Sequence, residues 1–221
     1  MGYSIAIDGP AGAGKSTIAK LIAKERDCIY VDTGAMYRAM ALYFLRQGFD
    51  PKDEEKITAA CEGIDVAIRY ENGVQQVILN GENVTAFLRT EEVGKMASAS
   101  SVYPAVRLKL VELQRKLADD NNVVMDGRDI GTYVLPNANV KIYLTASAEE
   151  RANRRYKELV EKGETPDYET IKKDIIDRDY RDMNREFAPL RAADDATLID
   201  CSYMTIDEVV KAILDCCGKE W

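Results

Sequence analysis

The chain contains no histidine among its 221 residues. Imidazole acid–base catalysis and histidine metal sites are therefore excluded. Its five cysteines (Cys28, Cys61, Cys201, Cys216 and Cys217) are odd in number and include no C-x-x-C pair. That usage fits reduced thiols in a cytosol better than a disulfide framework. No apolar run approaches the roughly 18 residues of a membrane span. The N-terminus has neither a basic n-region nor an apolar h-region. A cytoplasmic protein without a membrane partner is expected. Positive charge is also in deficit, with 30 Lys and Arg against 38 Asp and Glu, for a net charge of −8. A protein that coats DNA or RNA needs a basic face, so no nucleic acid polymer is expected as a partner. A mononucleotide needs only a few local arginines.

With 46% hydrophobic and 31% charged residues, the chain has the composition of one α/β domain with insertions. Near its start stands Gly9-Pro10-Ala11-Gly12-Ala13-Gly14-Lys15-Ser16-Thr17, a G-x-x-x-x-G-K-S phosphate loop. Its glycines permit positive φ and close backbone approach, so several N–H groups can wrap phosphate oxygens at a helix N-terminus. Lys15 is expected to reach the β- and γ-phosphates, and the Ser16 hydroxyl to ligate the Mg2+ that accompanies the nucleotide. The flanks suit this reading: Tyr3 to Asp8 is a short, mostly apolar strand, and Ile18, Leu21 and Ile22 have helical spacing.

A second strand is expected at 28–32 and a helix at 35–47. Arg38 stands in that helix's first turn, where the dipole disfavours a cation unless an anion is also bound. A solvated surface arginine is the alternative. A short helix follows over 50–62. The period then changes to two at 65–70, Asn72-Gly73 marks a hairpin, 74–79 returns, and Asn80-Gly81 marks a second turn before 82–84. A small antiparallel sheet thus interrupts a βα pattern, most simply as an inserted subdomain. Helices are expected at 90–100 and from Pro104 onward, the second with Arg107 at its N-terminal end.

Val123-Val124-Met125-Asp126 reads as a buried parallel strand, with Gly127-Arg128-Asp129 at the carboxyl end where function gathers in such sheets. Whether Asp126 orders magnesium waters or merely ends the strand stays open. Another strand is expected over 140–144. The helix after it carries Arg151, Arg154 and Arg155 on one face, and pairing with Glu149, Glu150 and Glu158 is their alternative. A helix over 167–187 has Ile176, Tyr180, Met183 and Phe187 on one side and Arg178, Asp182 and Arg185 on the other. Pattern alone turns the polar side to water; periodicity does not decide whether it faces a cleft. A last strand over 196–200 and a capping box at Thr205–Glu208 complete the chain.

A phosphate loop in a parallel-sheet pattern points to phosphoryl chemistry on a nucleoside triphosphate. The guanine motif Asn-Lys-x-Asp and the transporter signature Leu-Ser-Gly-Gly are both absent from the sequence. What remains is an array of arginines outside the loop: Arg38, Arg128, Arg154, Arg155, Arg178 and Arg185. A kinase whose acceptor is itself a phosphate uses such an array, because each planar guanidinium donates two bonds at once. It needs no general base, since a phosphate monoester is largely ionised near neutrality. Catalysis is then positioning plus charge neutralisation.

Four ordered motifs together resemble the bacterial cytidylate kinases: 9–17, Asp32-Thr33-Gly34-Ala35-Met36-Tyr37-Arg38, Asp126-Gly127-Arg128-Asp129-Ile130-Gly131-Thr132, and Arg178-Asp179-Tyr180-Arg181-Asp182-Met183-Asn184-Arg185. The likeness runs over the full length, including the small inserted sheet. It implies an α/β fold: a P-loop NTPase-type parallel sheet flanked by helices, an inserted NMP-binding subdomain and a helical lid. The core falls at about 1–32, 119–150 and 186–221, the NMP-binding domain at about 33–118 and the lid at about 151–185. It implies transfer of the γ-phosphate of ATP to CMP or dCMP with Mg2+. By motif, Lys15, Arg128 and Arg185 are catalytic. Arg38, Arg128 and Arg185 hold the acceptor phosphate, Arg178 and Asp182 the sugar, and Ser98, Arg107 and Asp129 the cytosine. Thr33 lines the acceptor site, and Arg151, Arg154 and Arg155 close over the triphosphate. A monomer is expected. The alternatives are a P-loop kinase for UMP, AMP or shikimate, or a nucleotide-dependent regulatory module without turnover.

Overall fold

Central strands buried on both faces set the architecture of the computed structural model, which describes residues 2–218. Met1 and residues 219–221, the outer ends of the expected core, lie outside the described residues. In chain order, β1 (Ser4–Asp8), α1 (Lys15–Glu25), β2 (Ile29–Asp32) and α2 (Thr33–Arg46) are followed by α3 (Glu54–Cys61). Then come β3 (Val66–Glu71), β4 (Val74–Leu79), β5 (Glu82–Asn83), α4 (Glu91–Ser100) and α5 (Pro104–Asp120). The chain ends with β6 (Val123–Gly127), a π-helical turn at Ile130–Val134, β7 (Val140–Thr145), α6 (Ala148–Glu161), α7 (Tyr168–Asn184), β8 (Thr197–Asp200) and α8 (Ile206–Cys216).

The main sheet has strand order β2-β6-β1-β7-β8, with every pair parallel. Period-two side chains feed two cores. Ile5, Ile7 and Val124 pack with Ile18 and Ile22 of α1 and Val209 and Ile213 of α8. Ala6, Val123 and Met125 face the other way, onto Met36 and Met40 of α2 and Val106 and Leu110 of α5. Each of the larger of these buried side chains contributes about 1.5–3 kcal/mol. The chain leaves β1 at the point where strand order reverses, so the loop after it opens into the crevice above the sheet.

The three-stranded sheet β3-β4-β5 is antiparallel. Its hairpin turns at Asn72-Gly73 and Asn80-Gly81, all four residues having positive φ, as the sequence signals require. This sheet covers the exposed edge of the large one. The Tyr70 hydroxyl donates to Tyr30 O at 3.1 Å. The Gln75 side-chain amide accepts from Asp32 N at 2.9 Å and donates to Asp32 O at 3.2 Å, satisfying the edge groups at the end of β2.

Three departures from the sequence reading have local causes. The helix expected from residue 35 starts at Thr33, because Asp32 doubles as its N-cap and accepts from Ala35 N. The helix expected over 50–62 begins only at Glu54, capped by Asp53. The third concerns α7, which stops at Asn184 with Ile176, Tyr180 and Met183 exposed and Asp182 and Arg185 buried. Its charged side therefore faces the protein rather than water. Arg128 and Asp129 supply the ion-pair partners that offset the cost of burying it.

Candidate active site

The phosphate loop owes its shape to backbone freedom. Gly9, Gly12 and Gly14 have φ of 148°, 78° and 91°. A Cβ on Gly9 would lie 1.9 Å from Leu144 O, so any side chain there collides with β7. Gly14 is the N-cap of α1 and offers no side-chain oxygen to the helix amides. Those amides, with the helix dipole, face the crevice. Lys15 is buried and donates to Pro10 O at 2.7 Å, closing the loop on itself. Burial, followed by the Arg128 guanidinium, pulls its ammonium well below the ordinary lysine range. Residues Ala11, Ala13 and Thr17 complete the loop; Thr17 N and Ile18 N both donate to Gly14 O at 3.1 Å.

Ser16 Oγ donates to Asp126 Oδ2 at 3.0 Å, and Tyr30 OH donates to Asp126 Oδ1 at 2.8 Å. Burial and the nearby Asp32 carboxylate raise the Asp126 carboxyl above its usual range. A hydroxyl and an under-compensated buried carboxylate beside a phosphate loop suit a hard divalent cation. Among the described residues no group of three or more His, Cys, Asp or Glu could cage a metal alone. Mg2+ takes most of its ligands from water and substrate phosphates.

Across the crevice the arginines rest on carboxylates. Arg38 Nη2 lies 3.2 Å from Asp32 Oδ2, and Arg89 Nη2 approaches the same oxygen at 3.0 Å. Arg128 donates from Nε to Asp182 Oδ2 at 3.0 Å and from Nη1 to Gly127 O at 3.2 Å. Arg185 donates to Ala188 O at 2.7 Å and lies 3.4 Å from Asp129 Oδ1. Burial, then Arg128, lower the Arg178 guanidinium to about 10, with Arg38 and Arg181 adding to the repulsion. Burial opposes ionisation of Asp182, but Arg128 and Arg178 outweigh it and hold the carboxyl below its ordinary range. Thus Arg38, Arg128 and Arg178 project one positive field into a common space.

A buried polar cluster surrounds Asp129. Arg107 and Asp129, 1% and 3% exposed, form a direct ion pair. Arg107 also donates to Ser101 O at 3.2 Å and lies over the Tyr37 ring, 5.4 Å from its centroid. Ser98 Oγ and Arg107 Nε are buried without a hydrogen-bond partner. Unpaired donors of this kind suit a polar planar ligand. The Thr33 hydroxyl donates to Asp126 O at 2.7 Å.

The three arginines of α6 go to different places. Arg151 is buried, donating to Ala146 O at 2.9 Å, Ala11 O at 3.1 Å and Asp179 at 2.5 Å, and so bolts α7 to the phosphate loop. Arg154 donates to Ala13 O at 3.4 Å and Cys201 O at 2.8 Å, beside the loop. Arg155 pairs with Glu158 on the exposed face, the bland alternative for this cluster. Arg89 and Tyr30 escaped the sequence reading because each lies in a segment without a motif. Asp32 and Asp126 stood in quoted motifs, but Arg89, which joins Arg38 on Asp32, and Ser16 and Tyr30, which hold Asp126, are distant in sequence.

The profile of the cytidylate kinase family matches residues 5–219. The chain is 51% identical over 212 residues to the cytidylate kinase of Caldicellulosiruptor bescii, covering 96% of this chain and 94% of that protein. It is 48% identical over 212 residues to that of Bacillus subtilis, covering 96% and 95%. Among solved structures, an uncharacterized protein from Eubacterium ventriosum shares the fold, with a TM-score of 0.57 at 12% identity over 99% of both chains. A phosphate loop facing buried, carboxylate-held arginines, joined to near-full-length identity of about half, places this chain in the cytidylate kinase family.

Proposed function

We propose that the crevice transfers the γ-phosphate of ATP to CMP or dCMP, giving ADP and CDP or dCDP. Family membership supports the reaction. What supports the residue roles is that Arg178 lies within the electrostatic reach of both Arg128 and Arg38, while Arg128 directly precedes Asp129 of the buried Arg107–Asp129 pair. The phosphate loop amides and Lys15 grip the triphosphate, whose negative charge restores the lysine's proton. Ser16 and Asp126 hold Mg2+, directly or through its waters; the ion screens charge on the phosphates when bound. Arg38, Arg89, Arg128 and Arg185 exchange their carboxylate partners for the acceptor phosphate. Storage on carboxylates keeps the empty site from being a cluster of unpaired cations, at the cost of breaking those pairs on binding.

Arg178 and Asp182 take the sugar. Arg107, Asp129 and Ser98 take the base. Cytosine offers an amino donor and a ring acceptor where uracil reverses both, so a carboxylate beside a guanidinium discriminates between them. No side chain needs to remove a proton, because the acceptor phosphate arrives ionised. Arg151 and Arg154 brace the loop from behind, and closure of α6 and α7 as a lid brings Arg155 nearer the triphosphate. Core, acceptor-binding and lid segments follow the boundaries read from the sequence, and the active unit is a monomer.

A panel of acceptors with ATP and Mg2+, read as ADP release, tests this. CMP and dCMP should support turnover well above UMP, AMP and shikimate. Preference for another acceptor would overturn the base assignment. Nucleotide binding with no acceptor-dependent ADP would favour a regulatory module.

A further inference from the structure

Asp8 ends β1, immediately before Gly9, and is 4% exposed. Its carboxylate accepts from Ile130 N at 2.8 Å and from Gly131 N at 2.7 Å. These two amides open the π-helical turn that directly follows Arg128 and Asp129. The other end of that turn is held by Arg115, which donates to Val134 O at 3.0 Å and Tyr133 O at 2.8 Å. Gly131 lies close against both groups: a Cβ there would meet the Lys141 stem at 3.3 Å and Asp8 Oδ2 at 3.5 Å. One short side chain therefore joins the residue before the phosphate loop to the segment that faces the acceptor.

We propose that Asp8 is a positioning residue for phosphoryl transfer, docking the Arg128–Asp129 segment against the phosphate loop so that donor and acceptor sites keep one spacing. This rests on the acceptor roles assigned to Arg128 and Asp129 above. The placement is costly. Burial raises the Asp8 carboxyl to about 7, against the pull of the two amides, with Asp129 adding and Lys15 opposing. Arg128 and Tyr143 also feel its charge, and the Lys141 side chain passes beside Gly131 on its way to Asp195. A carboxylate this expensive to ionise is retained where two donors at fixed spacing need two acceptors. Protonation near neutrality removes one acceptor and loosens the turn.

Asp8→Asn tests the idea. The amide is isosteric and abolishes a buried charge, but it presents an N–H where Ile130 or Gly131 needs an acceptor. At about pH 8 the variant should lose about tenfold in kcat/KM for CMP, with KM for ATP within about twofold of the parent. Towards about pH 6 the ratio of parent to variant should shrink, because the protonated parent then resembles the variant. Taking the ratio cancels ionisation of the CMP phosphate itself, near about 6. Should the variant fail to fold, amide exchange in the parent decides. Protection at Ile130 and Gly131, corrected for intrinsic exchange, should fall as pH drops through about 7. A pH-independent ratio, an equal loss for both nucleotides, or unchanged protection overturns the proposal. If CMP is not the preferred acceptor in the panel, the base assignment fails, while the amide-exchange result stands separately.

Discussion

Replacing Asp129 by alanine removes the counter-charge of Arg107, itself 1% exposed, and of Arg185, 8% exposed. Arg107 keeps a bond to Ser101 O and the Tyr37 ring, neither of which is an anion. Breaking a buried ion pair from one side costs about 3–5 kcal/mol. For a chain of this size each kcal/mol lowers Tm by about 2–4 °C, so a drop of roughly 6–20 °C is expected. The same change removes the acceptor for the cytosine amino group. The ratio of kcat/KM for CMP over UMP should therefore fall about tenfold to a hundredfold. Urea denaturation and the two-acceptor kinetics measure these effects separately. The double variant Arg107→Met/Asp129→Leu separates them further: it should recover the share of stability lost at Arg107, since apolar replacement of a buried pair is often neutral, but neither the share lost at Arg185, which stays without Asp129, nor CMP turnover. A single variant that loses under about 1 kcal/mol, or that keeps full selectivity, would refute the reasoning.

Three further outcomes are expected. Burial and Arg128 depress the folded-state pKa of Lys15 below its unfolded value, so between those values the folded apo protein holds fewer protons than the unfolded chain, and stability rises with pH there. ATP should reverse the shift, giving net proton uptake on binding in calorimetry across buffers of different ionisation enthalpy. Lys15→Met should lose that uptake and about two or more orders of magnitude in kcat while staying folded; uptake that persists counts against the lysine as its source. Arg38→Ala should raise KM for CMP about tenfold or more with KM for ATP little changed, measured by ADP release; an equal rise for both nucleotides places Arg38 outside the acceptor site. Thr205→Ala breaks the capping box in which Thr205 Oγ1 accepts from Glu208 N and Glu208 accepts from Thr205 N. About 1 kcal/mol should be lost in urea titration, with CMP kinetics unaltered.

Much of the fold was legible because its signals are local. The phosphate loop lies between a five-residue strand and an apolar-faced helix, and both Asn-Gly turns sit where period two breaks. Helix ends moved by a few residues where an aspartate, Asp32 or Asp53, took the cap. The π-helical turn at Ile130–Val134 left no periodic trace, since Asp8, 122 residues away, holds its opening amides. At the site, the motifs named Arg128 and Arg185 without showing which carboxylates hold them. Nothing near Arg128 in sequence announces Asp182, 54 residues on.

Residue order alone sufficed for the parallel α/β pattern, the ATP-gripping loop, the small inserted sheet and the family, because turn chemistry, alternation and motif spacing act over a few residues. Three-dimensional packing decided the rest. It turned the charged side of α7 inward over Arg128 and Asp129, left Ile176, Tyr180 and Met183 in solvent, and drew Arg151 behind the phosphate loop. The reason is electrostatic. A buried charge is tolerated only where a partner waits, and in this chain the partners come from distant segments that meet only when the sheet has formed.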